Sequence, residues 1–174
     1  MNEGPSTRWQ YRGQIVDVVA ETAHFPDGRE AELEIVRHPG GSAVVAIDDA
    51  ERVCLLRQYR HVAGGWIWEL PAGKRDGLED PAETARRELE EEAGVRARDW
   101  RSLGHTLSSP GVFTEVVHLY AARALQPGLL AHEPLEYIER HWIPLATALA
   151  WAASGEIYDA KSVIGLFRVQ YTKA

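Results

Sequence analysis

Apolar positions along the chain recur with a period of two in some stretches and near 3.6 in others, and turn residues mark most of the changes. Residues 42–47 and 53–60 are β-rich runs separated by the polar turn Asp48-Asp49-Ala50-Glu51, and they predict core strands. Residues 66–70, 100–107, 115–122 and 137–143 predict further strands, with Pro and Gly in most of the gaps. Upstream, residues 13–20 and 31–37 read as two strands joined through Phe25-Pro26-Asp27-Gly28, where Asp-Gly supplies hairpin chemistry. A lone hairpin is marginally stable, so it needs a sheet, a domain or a second subunit to cover it. Residues 1–38 are therefore expected to be a dimerisation arm or an extension of the main sheet, ahead of a domain over residues 39–174.

Helical periodicity appears three times. The first helix is predicted from Pro81 to Ala93, with Asp80 as N-cap, Pro81 in the first turn, Glu83 three residues after the cap and Gly94 as the stop. The second occupies residues 145–154 and ends at Gly155; the third starts after Asp159 and carries Val163, Leu166, Phe167 and Tyr171. Strands interrupted by helices in this way predict a mixed α/β domain.

Composition narrows the setting. The chain has 174 residues, 45% of them hydrophobic, which suits a single domain with a real core. Its 19 basic and 26 acidic residues leave a formal charge of -7, which argues against a broad grip on nucleic-acid phosphates. A lone cysteine, Cys54, cannot form an internal disulfide and reads as a small buried side chain. With a start that lacks a signal-peptide layout, this points to the cytoplasm. The longest nearly apolar stretch, residues 142–153, contains Pro144 and falls short of the roughly 20 residues of a membrane span.

The first helix carries the chemistry. Ala82, Ala85, Leu89 and Ala93 form a narrow apolar stripe expected to face the sheet. Beside it Glu88, Glu91 and Glu92 stand at i, i+3 and i+4, so three carboxylates converge on one region. Like charges at this spacing repel, and a hard divalent cation, with Mg2+ the natural occupant, reverses the sign. Arg87, four residues before Glu91, is placed to pair with it. Alone, a Glu-rich helix reads as a solvated face. Here it follows Leu70-Pro71-Ala72-Gly73 and a short loop with Gly77, where glycines permit close backbone approach to a ligand.

Gly73, five residues, Glu79, seven residues, then Arg87-Glu88-Leu89-Glu90-Glu91-Glu92-Ala93-Gly94-Val95 resembles the Nudix box, G-x5-E-x7-R-E-U-x-E-E-x-G-U with U apolar, at all nine specified positions over 23 residues. The resemblance implies a Nudix-type mixed β-sheet sandwiched between helices (α/β/α), here with an N-terminal β-hairpin arm. It also implies hydrolysis of a nucleoside diphosphate linked to another group. By the same resemblance Glu88, Glu91 and Glu92 hold Mg2+, with Mn2+ as a substitute, and the Ala72 carbonyl completes the coordination. Glu79 and Arg87 brace the loop-helix-loop that Gly73 and Gly94 bound.

Outside the box the chain resembles the ADP-ribose pyrophosphatases along nearly its whole length. Pro110, in Ser109-Pro110-Gly111, lies fifteen residues after Val95, where that subfamily carries proline. Leu56-Arg57-Gln58-Tyr59-Arg60 resembles its substrate-side strand, so Arg60 and Arg57 are candidate substrate contacts. The subfamily places a catalytic glutamate on a later loop; Glu136 matches it, with Glu133 and the box residue Glu91 as alternatives. Adenine needs a flat surface to stack on, and Trp9, Tyr11, Trp66 and Trp68 are the candidates. In related enzymes the N-terminal arm crosses to a partner, which implies a homodimer.

No zinc-ligand spacing, G-x-S-x-G or Walker A sequence is present. The box reads only the pyrophosphate, so GDP-mannose, FAD, NADH and dinucleoside polyphosphates stay open as substrates, as does a non-catalytic ADP-ribose sensor.

Overall fold

The computed structural model describes residues 7–132 and 134–172. Its N-terminal part is an antiparallel sheet of three strands, β1 (Arg8–Arg12), β2 (Asp17–His24) and β3 (Glu30–Arg37), in that order. The expected hairpin is the β2-β3 pair, in unbroken register from Asp17 opposite Arg37 to His24 opposite Glu30. Its turn closes as the Asp-Gly pair predicts: Gly28 adopts φ +82° and its N–H donates to the Phe25 carbonyl at 2.9 Å. Two features differ from the expectation. The Gly13 N–H donates to the Val16 carbonyl at 3.0 Å, so the Gly13 end of the predicted strand is spent on a turn and β2 moves downstream. That turn brings back β1, a third strand that makes the arm a sheet rather than a hairpin. Val36 ties the sheet to the rest of the chain, its N–H donating to the Val112 carbonyl at 2.7 Å and its carbonyl accepting from Thr114 at 2.9 Å.

The main body contains β4 (Gly41–Ala46), β5 (Arg52–Arg60), β6 (Gly65–Glu69), β7 (Ala72–Lys74), α1 (Pro81–Ala93), β8 (Val95–Leu107), β9 (Val116–Pro127), β10 (Ile138–Pro144), α2 (Leu145–Ser154) and α3 (Ala160–Tyr171). The strands form two sheets, β7-β4-β9-β8 and β10-β5-β6; β4 and β9 run parallel and the other neighbours antiparallel.

β4 is buried along its whole length, which explains why its sequence is a nearly continuous apolar run rather than an alternating one. Its residues nevertheless divide by parity. Ala43 and Val45, with Ile47 just beyond the strand, join Val53 and Leu55 in a core with Ala148, Ala152 and Leu166 of α2 and α3. Val44 and Ala46 join Cys54 and Leu56 in a second core with Ala85, Leu89 and Ala93 of α1. Helices thus cover both faces of the strands, giving the expected α/β/α sandwich. Among the described residues no helix is long and apolar enough to cross a membrane.

α1 has the boundaries its sequence predicts. Asp80 Oδ1 accepts the Ala82 N–H at 2.8 Å, Pro81 opens the first turn, and Gly94 ends the helix at φ +63° with its N–H on the Glu90 carbonyl. β8 follows at once, five residues earlier than residue 100, because the charged stretch Arg96-Ala97-Arg98-Asp99 hides its alternation.

Candidate active site

α1 buries the Ala85-Leu89-Ala93 stripe completely, and this rotation carries Glu88 and Glu92 inward beside it. Against them lies β7. A Cβ at Gly73 would fall on the Glu88 carboxylate, so only glycine lets the strand approach this closely. The neighbouring Ala72 N–H donates to Glu92 Oε2 at 2.7 Å. The expected coordination role belongs to the carbonyl of Ala72, whereas its amide is the group that meets a box carboxylate here.

Arg87 organises the loop ahead of the helix. Its guanidinium donates to Glu79 through Nε (3.3 Å) and Nη2 (3.1 Å), to the Lys74 carbonyl (3.1 Å), and through Nη1 to Glu88 (2.7 Å) and Glu91 (3.1 Å). The predicted Arg87–Glu91 pair is therefore present within a larger hub. Glu79 also accepts from Thr84 Oγ1 at 2.8 Å, and the Arg87 hydrogen bonds foremost hold its carboxyl down at about 2.

The inner carboxylates behave oppositely. Burial, reinforced by the charges of Glu91 and Glu136 and only partly offset by Arg87, pushes Glu88 up to about 6. Burial again leads at Glu92, pushed up to about 8 with Glu88 and Glu136 adding to it. Among the described residues Glu92 has no salt bridge, and no three His, Cys, Asp or Glu side chains are already gathered in a ligand shell. The donor set fits a hard divalent cation: two desolvated carboxylates and a half-exposed third, each an oxygen donor, share an excess of negative charge that a cation would neutralise.

These groups line a cleft of about 620 Å³, a size suited to a nucleotide-like ligand. Gly73, Ala72, Arg87, Glu88, Glu91 and Glu92 come from the box side, Glu136 from the loop before β10. Arg60 lies in the same cleft, its Nε and Nη2 paired with Glu69 at 2.7 and 3.0 Å. Glu69 is only 2% exposed. Burial alone would raise its carboxyl, yet Arg60 and Lys161 together hold it below the ordinary range. Lys161 Nζ donates to Glu69 at 2.5 Å and to Asp159 at 3.0 Å, and Asp159 caps α3 through the Ser162 N–H at 3.1 Å.

Glu69 and Lys161 were not singled out from the sequence, and Asp159 was read only as the start of the third helix, which it caps. The available signal was Glu69 itself, an acid inside the apolar run Trp66-Ile67-Trp68-Glu69-Leu70. Other candidates stand apart from the cleft within this one chain. Arg57 lies over the Trp68 ring at 5.9 Å, and Trp68 packs against Trp151 and His141. Trp66 is 43% exposed and meets Tyr59 edge-on, and Tyr11 is 60% exposed on β1. Trp9 holds the Arg12 guanidinium at 3.7 Å from its ring centre. Gly94 caps α1 rather than lining the cleft. Glu133 lies outside the described residues. Pro110 sits in a turn closed by the Ser109 carbonyl, which accepts from Val112 and Phe113. Cys54 is buried, which pushes its thiol up to about 12 and leaves it an inert core group.

A glycine-led loop, a capped helix that brings three carboxylates to the wall of a cleft, and an α/β/α frame are the features that class this chain. The chain belongs to the NUDIX domain family, whose model matches residues 37–162. It is 37% identical to the methanol dehydrogenase activator of Bacillus methanolicus, covering 94% of this chain and 90% of that protein. It is 35% identical to the ADP-ribose pyrophosphatase of Bacillus subtilis over the same shares of the two chains. A solved structure described as an ADP compounds hydrolase superposes with a TM-score of 0.77 at 23% identity, over 98% of this chain and 95% of that one. Nudix hydrolases generally use divalent metal ions.

Proposed function

We propose that this protein hydrolyses the pyrophosphate bond of ADP-ribose to AMP and ribose 5-phosphate, using Mg2+, with Mn2+ able to substitute. The observation that carries the reading is the convergence of Glu88, Glu91 and Glu92 on one wall of a cleft that also holds Arg60. The resemblance to ADP-ribose pyrophosphatases supplies the substrate. When bound at these carboxylates and the Ala72 carbonyl, divalent ions neutralise the diphosphate oxygens and lower the pKa of a water.

The chain's own residues do the rest. Glu69 fixes the Arg60 guanidinium along one edge, and Nη1, which makes no protein hydrogen bond among the described residues, is directed to a substrate oxygen. Glu136 orients or deprotonates the attacking water, with Glu133 and Glu91 as the alternatives. Arg87 and Glu79 keep the loop and helix in register so that Gly73 and Glu88 stay in contact.

Two chains complete the site in this reading. Tyr11 and Trp66 stay outside the cleft of their own chain, and the N-terminal sheet exposes Tyr11, Ile15, Phe25 and Leu33. A homodimer through residues 1–38 places such an aromatic from the partner against the adenine, and Arg57 beside the same surface. A cytoplasmic setting accords with a single buried cysteine.

The test is turnover of the purified protein with Mg2+ or Mn2+ on ADP-ribose, GDP-mannose, FAD, NADH and diadenosine polyphosphates, with Glu92→Gln as control. AMP and ribose 5-phosphate as dominant products, lost in the variant, are expected. Faster cleavage of another compound reassigns the substrate, and tight ADP-ribose binding without turnover makes the protein a sensor.

A further inference from the structure

The last turn of a helix leaves its carbonyls without intrahelical donors. At the end of α1 two of those carbonyls belong to Glu91 and Glu92, which line the cleft, and donors from residues 128–140 serve them together with those of Ala93 and the cap Gly94. The Gly128 N–H donates to the Gly94 carbonyl at 2.9 Å, and the Ala131 N–H donates to the Glu91 carbonyl at 2.9 Å. His132 Nε2 lies 3.1 Å from the Glu92 carbonyl, and Arg140 Nη1 donates to the Ala93 carbonyl. The Leu129 N–H reaches the Glu90 carboxylate at 3.1 Å.

Glu91 and Glu92 are thus held from both ends. Their carboxylates line the cleft, and their carbonyls are clasped by the segment that leads on to Glu136. Most of the donors in this clasp are backbone amides, which nearly any sequence supplies. His132 is a side chain, four residues before Glu136, and a carbonyl can only accept, so its imidazole carries the proton on Nε2.

We propose that His132 is a positioning residue. Its hydrogen bond to the main chain of Glu92 sets where the Glu136 loop sits relative to the carboxylate helix. The inference deepens the proposed function and rests on it for the role of Glu136. A candidate base works only within hydrogen-bond reach of its water, and a displacement of about 1 Å can cost up to about a hundredfold in rate.

The experiment uses the full chain with His132→Leu, which removes the donor, and His132→Gln, whose amide nitrogen restores one. Steady-state kinetics on ADP-ribose with Mg2+ are expected to show kcat reduced about tenfold or more in His132→Leu with KM within about twofold, and recovery of most of the loss in His132→Gln. Hydrogen exchange of the amides in 128–140 is read on the same proteins without substrate. Faster exchange there in His132→Leu, with α2 and α3 unchanged, is expected. Unchanged kcat in His132→Leu, a glutamine variant as impaired as the leucine one, or a rise confined to KM overturns the proposal. Unchanged exchange overturns it equally, whatever the kinetics. If the native protein does not cleave ADP-ribose at all, the functional reading fails by itself, and the exchange experiment still decides whether His132 holds the loop.

Discussion

Glu69 Oε2 accepts a hydrogen bond from Lys161 Nζ at 2.5 Å, joining the end of β6 to the first turn of α3 across 92 residues of sequence. Both groups are largely withdrawn from water, and Arg60 depends on the same carboxylate. Removing one partner of such a pair leaves a buried charge short of compensation. Lys161→Met is expected to destabilise the fold by about 3 kcal/mol and to lower turnover by loosening Arg60. Urea denaturation and ADP-ribose kinetics measure the two effects; a loss of stability below about 1 kcal/mol would show that the pair is dispensable.

Protons and metal compete for the inner carboxylates. Glu92 is raised from 4.5 to about 8 and Glu88 to about 6, so the native metal-free protein binds more protons than the unfolded chain across that window. The stabilisation is complete below the ordinary carboxylate range and is lost as pH rises through the folded values. Metal-free protein is therefore expected to lose stability from about pH 4.5 to 8, with a shallower slope in Glu92→Gln, and Mg2+ is expected to restore the native protein at neutral pH. Denaturation midpoints in chelator at several pH values test this, and equal slopes in the two proteins would contradict it.

Gly73→Ala puts a methyl group where the Glu88 carboxylate now lies. Either β7 or Glu88 must move, so metal affinity is expected to fall about tenfold or more while the helices remain folded. Isothermal titration with Mn2+, paired with circular dichroism, separates this from unfolding; native affinity would mean that Glu88 is free to yield.

Glu136 contributes charge at both Glu88 and Glu92 from across the cleft. Glu136→Gln is expected to reduce kcat by about a hundredfold or more with the fold intact, as the loss of a general base does. Near-normal turnover would shift the role to Glu133 or Glu91.

Deleting residues 1–38 removes the three-stranded sheet, together with Ile15, which lines the cleft. Light scattering is expected to report a monomer, and activity should disappear with the dimer. An active monomer refutes the two-chain site.

What could be read from the sequence was what depends on neighbours along the chain. α1 was legible because Asp80, Pro81 and Gly94 act on local backbone, and the Glu88-Glu91-Glu92 convergence follows from helical spacing alone. The Asp27-Gly28 turn was legible for the same reason. β1 was not, since Arg8-Trp9-Gln10-Tyr11-Arg12 has no inward apolar run and exists through its pairing with β2. β7, three residues long, is too short to show a period. Lys161 was hidden for a different reason: its partner Glu69 is distant in sequence, and only folding shows that an acid in an apolar strand meets a lysine beside a helix cap. Arg57 was assigned from a strand resemblance, and Trp66 and Tyr11 from the need of adenine for a flat surface; neither ground says which chain's cleft an exposed side chain serves.

The division of β4 by parity has a consequence for how the molecule comes apart. Ala43 and Val45 belong to one core while Val44 and Ala46 belong to the other, so neither core can melt without taking the strand from its counterpart. A slip of one residue would exchange the two sets and bury each against the wrong helix. The carboxylate helix on one face and the α2-α3 layer on the other are therefore bound into a single cooperative unit, and heat or denaturant should dissolve both in one all-or-none transition.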